Sequence, residues 1–176
     1  MADSDIITGH LHGSGYIRKA RARIKALDIV GTASAGILDL WDTDTLPVQA
    51  TYGRSGTTVT VTEVGHGLST GDKIGITFLT TSGAIATPGN YEITVLTADT
   101  FTVTDINTGT IAAGKTCYYV YSDTTPYPAK WLATYHTAAS DTFFNGFNFP
   151  AEGVLARIGV YIRVENLASI NLYYTG

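Results

Sequence analysis

The chain is poor in charge. Only 15% of its 176 residues are Asp, Glu, Lys or Arg, against roughly 25% in an average soluble domain. It has a single cysteine, Cys117, so no disulfide can form within the chain. A net charge of -4 and an isoelectric point near 5.4 disfavour a strongly basic nucleic-acid binder. No apolar run approaches the ~18 residues of a membrane span, and residues 1–15 hold no apolar stretch of the secretory-signal kind. Disorder is excluded by a hydrophobic content of 44%. What is present is 19 Gly, 11 Tyr and a large share of Thr. The chain is long enough for one or two small domains.

Residues 1–16 are short of core formers and rich in Gly, Ser, His and Asp, which predicts an extended N-terminal arm that orders on docking. Residues 17–51 hold five of the eleven basic residues: Arg18, Lys19, Arg21, Arg23 and Lys25. Ile17, Ala20, Ile24 and Leu27 allow an amphipathic helix. A strand from Arg23 to Val30, ending at Gly31, is the preferred reading, and Gly36 to Trp41 reads as another strand. In residues 52–122 threonine replaces charge and period-two alternation recurs. Val59 and Val61 alternate with threonines, as do Phe101 and Val103. Ile74, Ile76 and Phe78 form another alternating set, and Tyr91, Ile93 and Val95 a fourth. Turn signals at Gly65-His66-Gly67, Pro88-Gly89-Asn90, Ala98-Asp99-Thr100 and Thr108-Gly109 separate the runs and predict a small barrel or sandwich, of which the barrel is preferred. Residues 123–176 supply longer aromatic strands: Trp131 to Tyr135, Thr142 to Phe149, Val160 to Val164 and Ile170 to Tyr174. The segments Pro150-Ala151-Glu152-Gly153 and Asn166-Leu167-Ala168 break them. The expected fold is all-β. One β-sandwich is built from 17–51 and 123–176, and the barrel of 52–122 is inserted as a long loop.

The chemistry-bearing motifs are weak. Gly109 to Thr116 fits G-x-x-x-x-G-K-[ST], but a phosphate loop needs a helix after it. The aromatic run Cys117-Tyr118-Tyr119-Val120-Tyr121 follows instead, so a hairpin turn with an exposed Lys115 is expected. His10 and His12 could present two imidazoles to a metal, and a solvated arm is preferred. Asp39, Asp42 and Asp44 resemble half of a calcium loop without its glycine and distal glutamate. Cys117 with His136 or His66 could form a nucleophile pair, but a lone cysteine on a strand reads as a small core residue. No cofactor, metal or catalytic site is assigned. The basic run suits an acidic protein face better than nucleic acid, or else the guarded edge of a sheet. Tyr118, Tyr119 and Tyr121 join it as candidate interface residues, because tyrosine buries area while keeping a polar tip.

Two stretches carry a resemblance. Thr58-Val59-Thr60-Val61-Thr62, Gly65-His66-Gly67-Leu68-Ser69-Thr70-Gly71-Asp72-Lys73-Ile74, Gly89 to Val95 and Asp99 to Val103 resemble a small β-barrel module recurring in bacteriophage virion proteins. That module is similar in fold to the first catalytic cysteine half-domain of ubiquitin-activating enzymes, and no catalytic residue carries over. Ile24 to Gly31, Ala33 to Gly36, Pro150 to Leu155, Gly159 to Val164 and Ser169 to Tyr174 resemble a short phage structural protein. The resemblance implies a β-sandwich located on the virion. Together with the absence of a catalytic motif, it points to no enzyme but to a capsid decoration or cement protein bridging shell subunits. Its partners would be other virion proteins (the major capsid or tail protein) and copies of itself, with a trimer favoured. A neck, tail or fibre component is the alternative. From another class, a carbohydrate-binding adhesin would stack sugars on Trp41, Trp131 or tyrosines.

Overall fold

The computed structural model describes residues 6–79, 85–121, 129–139, 144–149 and 153–176. The described chain is all-β, with three antiparallel sheets and no helix. Four strands lead: β1 (Ile7–Leu11), β2 (Gly15–Arg18), β3 (Ala22–Gly31) and β4 (Gly36–Asp42). Five follow in the middle: β5 (Val48–Thr62), β6 (Lys73–Phe78), β7 (Gly89–Glu92), β8 (Thr94–Thr97) and β9 (Thr100–Tyr121). Five close the chain: β10 (Lys130–Thr137), β11 (Phe144–Asn148), β12 (Val154–Ala156), β13 (Val160–Glu165) and β14 (Leu167–Thr175). Two compact units result, one from Met1–Asp44 with Leu132–Gly176 and the other from Thr45–Trp131.

The first unit is a sandwich of two sheets. One runs β1-β14-β3-β11, with β12 also on β3, and the other runs β10-β4-β13-β2. Ile24, Leu27, Ile29, Ile170 and Leu172 of the first sheet meet Leu38, Leu40, Val160 and Ile162 of the second in one buried core. Strand β3 confirms the preferred strand over the helix, and it carries a β-bulge. Tyr174 opposes Ile24 while Tyr173 opposes Ala26, so Lys25 is an extra residue. The inward set therefore switches from Ala22 and Ile24 to Leu27 and Ile29, as one inserted residue requires. β3 lies between β14 and β11–β12, so the expected edge-strand role for its charges does not hold.

Residues 7–18 are not a free arm. β1 pairs with β14 and β2 with β13, and Leu11 and Ile17 pack against the core. An edge strand draws its order from ladder hydrogen bonds and needs few apolar side chains, so a segment of this composition orders once docked. Gly9 reflects close approach: a Cβ there would lie 2.8 Å from Ile17 side-chain carbons.

The second unit is one sheet ordered β5-β9-β6-β7, with β8 also on β9. The expected barrel does not close, because no described strand pairs with the far side of β5. β5 and β9 are instead long and bulged. Between Arg54↔Ile111 and Tyr52↔Lys115, three residues of β9 face one of β5; between Gly56↔Gly109 and Thr58↔Thr104, four face one. The signal at Thr108-Gly109 thus marks a bulge inside a strand. The bulges bend the ladder, so that Val59, Val61 and Val103 share one core with Tyr52, Cys117 and Tyr119. On the opposite face Thr58, Thr60 and Thr62 lie directly across from Thr104, Thr102 and Thr100, which suits β-branched cross-strand pairing. Residues 142–143 and 150–152, which belong to an expected strand and breaker, lie outside the described residues.

Candidate functional site

The basic residues gather at one end of the sandwich, around the turn from β2 to β3. Arg18 ends β2, Lys19 and Arg21 occupy the turn, and Arg23 and Lys25 sit half-buried on β3. The Arg18 guanidinium carbon lies 5.9 Å from the Tyr174 ring centre, and Lys19 Nζ lies 4.3 Å from that of Tyr16. Tyr16 meets Tyr161 edge-on at 4.9 Å. Aromatic support is therefore richer than the neighbouring sequence shows, because β13 and β14 supply two of the rings. A charge resting on an aromatic face is held in place with part of its hydration already lost. Arg21 and Arg23 line a hollow of about 140 Å³ with Leu155, Thr175 and Gly176.

The three candidate tyrosines belong to the second unit. Tyr119 is a core residue, 2% exposed, whose hydroxyl donates to the Glu63 carboxylate. Burial, then Glu63, pushes its pKa far above the ordinary tyrosine value. Tyr121 packs half-buried against the same core. Tyr118 is half-buried like Tyr121 and donates to Gln49 Oε1 at 3.2 Å. Trp41 is fully buried and is no stacking platform for sugars; Trp131 is half-buried.

The weak motifs resolve into structure. Gly109 to Thr116 lies within β9, with Lys115 exposed opposite Tyr52, so there is neither a phosphate loop nor the expected hairpin turn. Cys117 is fully buried, and burial followed by Glu63 pushes its thiol well above the usual range. A thiol held protonated is a poor nucleophile. The three aspartates do not converge. Asp39 and Asp42 fall on opposite faces of β4 by strand alternation, and Asp44 is exposed beyond it. Asp42 accepts from the amides of Arg157, Ile158 and Gly159 at 2.8, 2.8 and 3.2 Å. Asp39 accepts from Arg163 Nε at 2.7 Å and Thr134 Oγ1 at 2.6 Å.

A second buried ion pair, also without a sequence signal, joins Arg54 to Asp105 at 2.6 Å. Asp105 sits in the four-residue bulge of β9 and also accepts from the amides of Thr87 and Asn107. Burial pushes its pKa up, but the hydrogen bonds from Asn107, Thr87 and Arg54 outweigh it and hold the carboxyl below its ordinary value. Residues of the resemblance in the middle segment serve their own turns. His66 Nδ1 accepts from the Leu68 amide and its Nε2 donates to the Thr97 carbonyl. Asp72 accepts from the Ser69 amide and Asp99 from the Gly65 amide, both at 2.8 Å. Gly65, Gly67 and Gly71 adopt φ of 66°, 67° and 96°, a region that favours glycine.

His10 and His12 are brought together. Their Nε2 atoms lie 3.1 Å apart and their rings are nearly perpendicular. No protein-family model and no curated protein matches this chain.

Proposed function

We propose that the chain is an accessory structural protein of a bacteriophage virion, a decoration protein that bridges shell subunits as a homo-oligomer, with a trimer favoured. The reading rests on the resemblance, and one observation supports it: the residues that carry it in the middle segment are used for folding. His66, Asp72 and Asp99 hold their own backbone turns, and the three glycines supply left-handed conformations. Such a motif preserves a shape for display.

Adhesion would occur by burial of surface across subunit boundaries. The threonine face of β5 and β9 carries little charge, so covering it with a neighbour costs little desolvation. The cationic end of the sandwich, with Arg18 and Lys19 resting on tyrosine rings, suits an acidic face of a capsid or tail protein.

The test is co-sedimentation of the purified protein with tailed-phage particles, followed by a particle map. Stoichiometric binding at positions between capsid subunits is expected. Arg21→Glu should weaken it and flatten its salt dependence. Density at the neck, tail or fibre would replace the decoration role by that of a tail component. Absence from particles would end the proposal.

A further inference from the structure

We propose that His10 and His12 form a chelating site for a divalent transition-metal ion of the Zn²⁺, Ni²⁺ or Cu²⁺ class. His10 lies on β1 opposite Asn171 of β14, and His12 follows two residues later. That spacing returns a side chain to the same side of an extended chain. Both imidazoles are exposed.

The hydrogen-bond partners fix the chemistry. His12 Nδ1 lies 3.2 Å from the carbonyl oxygen of Ala168. A carbonyl only accepts, so this nitrogen carries the ring hydrogen. His10 Nδ1 lies 2.5 Å from Asn171 Oδ1, again an acceptor, so it too carries a hydrogen. A neutral imidazole protonated at Nδ1 has its lone pair at Nε2. The two Nε2 lone pairs therefore face each other across 3.1 Å. Two lone pairs at that distance repel unless a positive centre lies between them.

A metal ion fits the spacing. With metal–nitrogen bonds of about 2.0–2.1 Å, two nitrogens sit about 2.9 Å apart at a right angle and about 3.4 Å apart in a tetrahedron. The Nδ1–H···O contacts supply the outer support that ligating histidines use to hold their orientation. Among the described residues no group of three or more His, Cys, Asp or Glu is placed to hold a metal. Water then completes the coordination, and Cu²⁺ should bind more tightly than Ni²⁺ or Zn²⁺. Neither His66 nor His136 offers this pairing: both ring nitrogens of His66 are engaged, and His136 is exposed on β10.

The test uses the full chain, stripped of metal, titrated with Zn²⁺ by calorimetry and with Cu²⁺ by electron paramagnetic resonance. One ion per chain is expected, with a nitrogen hyperfine pattern from two imidazoles. His10→Gln and His12→Gln should each weaken binding at least about tenfold, and Asn171→Leu, which removes the outer support, by about tenfold. His136→Gln should leave binding unchanged. An unchanged thermal midpoint in the His→Gln variants separates ligand loss from misfolding. No binding at millimolar metal would overturn the proposal. Binding that survives His10→Gln would overturn it equally.

Discussion

Replacing Asp42 by Asn tests how the sandwich is held together. The Asp42 carboxylate, 1% exposed, accepts three backbone amides from the turn between β12 and β13. Oδ1 takes the Ile158 and Gly159 amides and Oδ2 takes that of Arg157. Asparagine keeps one oxygen, so the pair at Oδ1 survives without its charge. Its amide group then faces the Arg157 N–H, donor against donor. A hydrogen bond to a charged group contributes about 1.5–3 kcal/mol, and a stranded buried donor costs about 1–3 kcal/mol. Loss of one such bond and weakening of two others gives about 2–4 kcal/mol for Asp42→Asn. Urea unfolding followed by tryptophan fluorescence would read it. A Trp131→Phe background leaves Trp41, the neighbour of Asp42 in the first unit, as the only reporter. With a slope of about 1–3 kcal/mol per molar urea, the midpoint should fall by about 0.7–4 M. A loss under about 0.5 kcal/mol, the scale of an ordinary surface substitution, would refute the reasoning.

Three further outcomes follow from the geometry. Asp105 has a folded pKa below its unfolded value, so its stabilisation is present above about pH 4 and is lost as pH falls through the folded pKa. The wild-type second unit should therefore lose stability in acid more steeply than Asp105→Asn, as circular dichroism against pH would show. Cys117 should resist a thiol reagent at pH 8 in the folded chain and react on unfolding; native labelling as fast as a free thiol would contradict its burial. Gly153 has φ of 75°, and a Cβ there would lie 2.2 Å from the Ile24 carbonyl oxygen. Gly153→Ala should cost at least about 1–3 kcal/mol in a denaturant titration.

Much of the strand content was legible because a strand with one buried face writes period two into the sequence. Val59 and Val61, Ile74 and Ile76, and Phe101 and Val103 are all core residues. The bulges were not legible. Gly56, Gly109 and Gly114, all at positive φ, carry the composition of turns, yet they lie inside β5 and β9. Positive φ serves a bulge as well as a chain reversal, and composition cannot tell the two apart. Pairings across long separations were equally hidden. Arg163 meets Asp39 across 124 positions and His10 meets Asn171 across 161. Local spacing places His10 and His12 side by side, but their orientation depends on Asn171 and Ala168 of β14, which local spacing does not reveal.

The order of the strands has a consequence during synthesis. In the first unit the interior positions between β1 and β3, and between β2 and β4, are filled by β14 and β13, which are made after the other described strands. Between β4 and β14 lie about 120 residues, or some 6–25 s at the usual elongation rate of ~5–20 residues per second. During that delay the open edges of β3 and β4, with Ile24, Leu27, Ile29, Leu38 and Leu40, have no partner to cover them. The contiguous second unit, Thr45–Trp131, emerges before β13 and β14 and can fold meanwhile. A nascent chain arrested before β13 would therefore be an assembled middle unit behind a sticky, strand-forming leader, and truncation before Leu167 would leave β3 without β14.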